Sequence, residues 1–209
     1  MRNLFITTLL LASFVVNAQI AKPEKPAKPF KVSIAGGYAS PVDNIGNNDF
    51  VKPGFVYSLE PQYELSKNLE VGLRLEQAFI KRSEALDNDL FYASKVKSML
   101  SATATVNYVI DIGSVVRPYV GVGVGAYYTA ASEQTYQSSG SSLVHYPLPA
   151  TATIGGLGRV GVKFGILNVE ANYNLISETS VTNAAARLTL TAKNSYFSVK
   201  AGITIGGSR

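Results

Sequence analysis

From Leu69 to Glu76 every second residue is apolar: Leu69, Val71, Leu73 and Leu75 alternate with Glu70, Gly72, Arg74 and Glu76. A period of two fits extended backbone, whose side chains leave alternately from opposite faces, so the segment reads as a strand with one apolar and one charged face. The pattern recurs along the chain. Phe55, Tyr57, Leu59, Tyr63 and Leu65 oppose Ser58, Glu60, Gln62 and Glu64, with Ser66-Lys67-Asn68 as a tight turn into the next strand. Val96, Leu100, Ala102, Ala104, Val106 and Tyr108 oppose Lys97, Ser101, Thr103, Thr105 and Asn107, and Val120, Val122, Val124, Ala126 and Tyr128 oppose Tyr119, Gly121, Gly123, Gly125 and Tyr127. Val160, Val162 and Phe164 then oppose Arg159, Gly161 and Lys163; Leu167, Val169, Ala171, Tyr173 and Leu175 oppose Asn168, Glu170, Asn172 and Asn174; Phe197, Val199, Ala201, Ile203 and Ile205 oppose Tyr196, Ser198, Lys200, Gly202 and Thr204. A weaker first segment, Phe30 to Ala39, brings the count to eight. No stretch in this region carries a helical period.

Long and short connections alternate along the chain. Long polar ones fall near residues 40–53, 81–94, 129–150 and 178–193, and short turns near 66–68, 111–117 and 165–166. In an up-and-down arrangement every long connection lies at one end and every short one at the other. An even strand number with that asymmetry is expected of outer-membrane barrels, whose long loops are extracellular and whose short turns are periplasmic. The expected fold is therefore all-β, an eight-stranded antiparallel up-and-down transmembrane β-barrel, with both ends of the barrel domain on the periplasmic side.

Alternation alone fits a soluble, lipocalin-like barrel equally well, with the faces reversed. Three features favour the polar face inward. Many segments run about 9–11 residues, enough to cross a bilayer when tilted. Gly121, Gly123, Gly125, Gly161 and Gly202 lie on the polar face, as a narrow eight-stranded interior requires where long side chains reach across it. Aromatic residues fall near strand ends on the apolar face, Tyr63, Tyr108 and Phe164 at the turn end and Tyr57, Phe79 and Tyr128 at the loop end, like two interfacial girdles. On this reading Glu60, Glu64, Glu70, Arg74, Glu76, Lys97, Arg159, Lys163, Glu170 and Lys200 share the lumen. Carboxylates and cations in equal number are expected to pair there, because an unpaired charge in a confined interior is costly; the functional alternative is that they line an ion pathway.

The N-terminus carries a different signal. Met1-Arg2-Asn3 precedes an apolar run from Leu4 to Val16, and Val16-Asn17-Ala18 suits cleavage after Ala18. The run is too short for a membrane-spanning helix. Residues 1–18 thus read as a signal peptide, residues 19–29 as a Lys/Pro-rich periplasmic spacer with Pro at 23, 26 and 29, and residues 30–209 as the barrel. The chain has no Cys, which removes a disulfide framework and a lipidated cysteine. Its formal charge of +5 is concentrated in Arg2, Lys22, Lys25 and Lys28, so the folded part is nearly balanced and gives no reason to expect a nucleic-acid partner.

The strand Arg117-Pro118-Tyr119-Val120-Gly121-Val122-Gly123-Val124-Gly125-Ala126-Tyr127 resembles the Pro-Tyr-aliphatic-Gly-x-Gly-x-Gly strand of the OmpA-like outer-membrane β-barrel domain families. The resemblance implies an eight-stranded barrel, a single subunit or weak oligomer, and roles from envelope integrity to adhesion. Such chains commonly finish on an aromatic residue; here the last residues are Ile203 to Arg209 and the last aromatic is Phe197.

Little in the sequence points to catalysis. The single His, His145, sits in the longest connection near Ser138, Ser139, Ser141 and Ser142, a pairing that could serve acyl transfer but with no defined strand to orient it. Asp87, Asp89 and His145 are a thin basis for an omptin-like protease. Asp43-Asn44-Ile45-Gly46-Asn47-Asn48-Asp49 is rich in oxygen ligands but lacks the later Glu of an EF-hand loop, and a turn-rich loop accounts for it better. The expectation is an outer-membrane protein with a structural or surface-interaction role, no cofactor, lipid as its surroundings and an unknown extracellular ligand on its long loops, acting as a monomer. A small pore or transporter, or a soluble carrier of an apolar ligand, are the alternatives.

Overall fold

The computed structural model describes residues 28–42, 51–82, 85–87, 90–94, 97–112, 115–138, 144–177, 179–183, 188–192 and 194–207. The signal-peptide and spacer segments, apart from Lys28 and Pro29, and the Asp43–Asp49 loop lie outside the described residues. In chain order the strands are β1 (Phe30–Pro41), β2 (Val51–Glu64), β3 (Leu69–Arg82), β4 (Ala85–Asp87), β5 (Leu90–Ser94), β6 (Lys97–Val109) and β7 (Val116–Thr129). They continue with β8 (Ser132–Ser138), β9 (Val144–Leu148), β10 (Thr151–Phe164), β11 (Leu167–Ile176), β12 (Thr179–Asn183), β13 (Leu188–Ala192) and β14 (Tyr196–Gly206).

Eight of these close into a barrel in the order β1-β14-β11-β10-β7-β6-β3-β2, each pair antiparallel. Closure is made by an unbroken register from Lys31 opposite Gly206 to Pro41 opposite Tyr196. A closed ladder leaves no strand edge unpaired, the condition for a sheet to stand in hydrocarbon, where an unsatisfied backbone group costs several kcal/mol.

The short turns have local causes. Gly165 adopts φ 58°, the left-handed conformation that a two-residue hairpin between Phe164 and Leu167 needs. At the β2–β3 turn Ser66 Oγ accepts a hydrogen bond from the Leu69 amide at 3.1 Å, while Asn68 Nδ2 donates to the Val109 carbonyl at 2.8 Å and ties the turn to β6.

The polar face points inward. Glu60, Arg74, Asn107, Glu170 and Lys200 are buried, while Leu73, Val122, Ile154, Val160 and Ile205 stand exposed on the outside. An apolar exterior over the whole wall is the reverse of a soluble carrier, so the lipocalin-like alternative, with an apolar lumen, is overturned. The exposed aromatic residues form two bands. Phe30, Tyr63, Tyr108 and Phe164 ring the turn end, and Tyr38, Phe55, Tyr57, Tyr128, Tyr173 and Phe197 ring the loop end, with apolar wall between them.

The long connections are not wholly irregular. Strands β4, β5, β8 and β9 form a four-stranded sheet outside the barrel, in which β5 of one connection pairs with β8 of the next, and β12 pairs with β13 in a separate hairpin.

Candidate functional site

The lumen is where the chain's ionisable residues converge, because each barrel strand contributes the polar half of its alternation to the same narrow space. Three tiers follow one another from the turn end to the loop end.

At the turn end Lys31 Nζ donates to Glu64 Oε1 at 2.9 Å and also pairs with Glu70, whose carboxylate accepts from Lys163 Nζ at 2.7 Å. Lys163 Nζ also lies 5.1 Å from the centre of the Tyr119 ring, within reach of the ring's negative face.

At mid-height Glu60 is held by two guanidinium groups. Arg159 donates to both of its oxygens, Nη1 to Oε2 at 2.7 Å and Nη2 to Oε1 at 2.6 Å, and Arg74 Nε donates to Oε2 at 3.0 Å. Arg74 Nη2 in turn donates to Glu170 at 2.6 and 2.9 Å and its Nη1 to Asn172 Oδ1 at 2.8 Å. Thr105 donates to Glu60, Tyr119 to Glu170, each at 2.7 Å, and Arg159 Nε donates to Asn107 Oδ1, also at 2.7 Å. Such forked pairs are directional as well as strong.

Toward the loop end Glu76 accepts from Tyr196 Oη at 2.6 Å and pairs with Lys200, which also stands 3.2 Å from Glu170. Above this tier the inward face turns apolar. Ala39, Val56, Ala78, Ile80, Met99 and Ile176 close over Tyr127 and Tyr196 as a buried cluster.

Of the residues assigned to the lumen from sequence, Glu60, Glu64, Glu70, Arg74, Glu76, Arg159, Lys163, Glu170 and Lys200 are all buried and all paired. Lys97 stands opposite Ile80 in the register, and its side chain lies outside the described residues. Lys31, which the sequence reading did not include, joins Glu64 and Glu70. Its signal was the alternation of Lys31, Ser33 and Ala35 with Val32 and Ile34, masked by Gly36 and Gly37. The apolar cluster was missed because Ala78 and Ile80 continue the inward phase of β3 while Ala39 and Val56 do so on β1 and β2, and an apolar residue on the inward phase cannot be told from an irregularity in a single strand.

The glycines make this packing possible. A Cβ on Gly161 would lie 2.6 Å from the Tyr119 ring, and one on Gly121 would lie 2.2 Å from Asn107 Oδ1 and 3.0 Å from Arg159 Nε. Gly161→Val is therefore expected to cost about 1–3 kcal/mol by overpacking. Combining it with Tyr119→Ala should cost less than the sum of the two single changes, measured by denaturant unfolding of the protein in liposomes; strict additivity would show that the ring and the glycine do not share space.

Of the Ser/His pairing weighed from sequence, the structure describes only the backbone of His145 and Ser138. His145 lies in β9 opposite Thr135 and Ser138 ends β8, so this connection does supply a strand where none was expected. Ser139, Ser141 and Ser142 lie outside the described residues, as does Asp89, while Asp87 closes β4.

The family model described as outer membrane protein beta-barrel domain matches residues 6–146. Among solved structures, a major outer membrane protein from Thermus thermophilus is 12% identical, with a TM-score of 0.52 over 86% of this chain and 100% of that one. The outer membrane protein OprG from Pseudomonas aeruginosa is 16% identical, with a TM-score of 0.50 over 85% of this chain and 97% of that one. Neisserial surface protein A gives 16% identity and a TM-score of 0.48 over 84% of this chain and 96% of that one. No curated protein matches the chain in sequence.

Proposed function

The chain belongs to the outer membrane protein beta-barrel domain family and resides in the bacterial outer membrane, and from that premise we propose that its barrel is an anchor for a surface-interaction platform built by the long connections. The observation that carries this reading is the sheet β4-β5-β8-β9, which joins two separate connections into one unit beyond the barrel rim. A loop held by ladder hydrogen bonds loses less entropy on binding than a free one, so it is suited to recognition. In this reading the long connections face outward and bind an extracellular partner, residues 1–18 are removed on export, residues 19–29 form a periplasmic spacer, the barrel works as a monomer, and it catalyses nothing.

Replacing residues 83–96 and 130–150 with short turns tests it. The shortened barrel should still shift on heating in gel electrophoresis, while cells displaying the full chain are expected to adhere to immobilised glycans or matrix proteins and cells displaying the shortened barrel are not. Equal adhesion of the two would overturn the platform.

The lumen supports a structural rather than a conducting role for the charged residues. Cations and carboxylates are interlocked at every level, and the apolar cluster at the loop end offers an ion nothing to replace its water. Reconstituted into planar bilayers, the protein is expected to give no discrete conductance steps. Reproducible steps, altered in ion selectivity by Glu76→Gln, would instead favour the small-pore reading.

A further inference from the structure

Below the interlocked pairs of the lumen one cation is left over. In the middle and loop-end tiers Arg74, Arg159 and Lys200 meet Glu60, Glu170 and Glu76, three against three. In the turn-end tier the carboxylates of Glu64 and Glu70 are taken by Lys31 and Lys163. Arg117 stands beside them as a third cation. It is half-buried, shares the inward phase of β7 with Tyr119 and lies directly opposite Lys163 in the register. Like charges directly opposed across a ladder are destabilising, and the next carboxylate along the chain, Asp111, is exposed on the adjoining turn.

The same tier holds three buried amide side chains. Gln62 stands opposite Lys31, Asn107 opposite Glu70 and Asn168 opposite Lys163, and they are 5%, 0% and 5% exposed. Each keeps hydrogen-bonding capacity in reserve. Asn107 Oδ1 accepts from Arg159 and Asn168 Nδ2 donates to Ser33, whereas Asn107 Nδ2, Gln62 Oε1 and Asn168 Oδ1 have no hydrogen-bond partner among the described residues. A buried polar atom left unpaired is costly and is normally matched by water, an ion or another bound group.

The surplus charge calls for an anion, the Asn107 amide for an acceptor, and the two carbonyl oxygens for donors. An oxyanion that keeps a proton at neutral pH supplies all three. We propose that the turn-end mouth of the lumen binds phosphate: Arg117 and Lys163 hold its charge, Asn107 Nδ2 donates to one oxygen, and Gln62 Oε1 and Asn168 Oδ1 accept from its hydroxyl groups. A guanidinium fork matches such an oxyanion in geometry as well as in charge. Sulfate has the same shape but no proton to donate. The ligand is the soluble ion rather than a lipid headgroup, because both cations lie on the inward phase, where the wall of the barrel stands between them and acyl chains. Above the tier Glu60, Arg159 and Arg74 close the lumen, so the site is blind, entered and left from the turn end. It is independent of whatever the long connections bind at the other end.

The test uses the full chain in neutral detergent and reads the midpoint of the heat-induced gel shift against sodium phosphate, sodium sulfate and sodium chloride at equal ionic strength, and against micelles doped with phosphatidylglycerol. Phosphate should raise the midpoint in a saturable manner and the other three should not. In Arg117→Gln the half-saturating phosphate concentration should rise at least about tenfold, the weight of one charge-assisted contact. Its midpoint without phosphate should stay the same or rise, because the charge opposed to Lys163 is gone. No saturable effect of phosphate, an equal effect of sulfate, or an unchanged response in Arg117→Gln would overturn the site. Stabilisation by the lipid and not by phosphate would overturn the assignment to a soluble ion. If Arg117→Gln fails to fold, Arg117→Lys, which keeps the charge but loses the fork, serves in its place with a loss in the same direction.

Discussion

Glu60→Leu is expected to destabilise this barrel by about 3–5 kcal/mol, because it removes the carboxylate that two buried guanidinium groups share. In the native protein both oxygens of Glu60 are taken, by Arg159 on a fork and by Arg74 from the other side, with Thr105 as a further donor. Leucine removes every one of these acceptors while leaving the arginines in place. The lower bound follows from Arg74 keeping Glu170 and Asn172, so that Arg159 bears most of the loss. Unfolding in liposomes by guanidinium chloride reads the effect directly. Adding Arg159→Met to Glu60→Leu should recover most of the lost stability, since an apolar pair of similar volume often substitutes for a buried ion pair without penalty. A Glu60→Leu protein within about 1 kcal/mol of wild type would mean that water enters the lumen and solvates the arginines, contrary to a closely packed interior.

The second large effect belongs to the outside. Val122 lies midway along β7 and is 64% exposed on the apolar wall. Val122→Arg should therefore cost about 2–4 kcal/mol in a bilayer, and the same change at Leu167, at the turn end of β11, about 0–1 kcal/mol. The contrast between the two sites matters more than either value. Equal costs at Val122 and Leu167 would show that the wall between the aromatic bands is not immersed in hydrocarbon.

The parts of the fold that were legible in sequence are those that a local period encodes. Because the lipid and the lumen lie on opposite sides of one sheet layer, each residue of a barrel strand has a binary choice, and Leu69 to Glu76 or Leu167 to Leu175 state it without ambiguity. Which turns are short was legible for a similar reason, since Gly165 and Ser66-Lys67-Asn68 carry their own geometry. What escaped depends on neighbours distant in the chain. That Arg74 meets Asn172, or Lys31 meets Glu70, follows from the stagger of strands around the barrel, which no single segment records. The pairing of β5 with β8 escaped because β5, Leu90-Phe91-Tyr92-Ala93-Ser94, is a short run without alternation and β8 is mostly polar, so neither has the period that marks a strand. The register shift between Lys52 and Phe55, where β2 pairs with β3, was invisible because one additional residue looks the same as a fault in the alternation.

Closure of the barrel by β1 and β14 also governs how the protein comes to exist. Lys31 and Gly206 are neighbours, and the Gly207 amide donates to the Phe30 carbonyl at 3.0 Å, so the decisive contacts join the two extremes of the domain. A chain built this way pays nearly its whole loop-closure entropy before its last ladder rewards it, and should fold slowly for its size. No fragment emerging first can reach a native minimum, because until Tyr196 to Gly206 is available both β1 and β11 present open edges. Translocation is thereby decoupled from folding. The polypeptide can be carried, unstructured, through the envelope and committed to the bilayer in a single late event, after which the same closure that delayed it makes reopening rare.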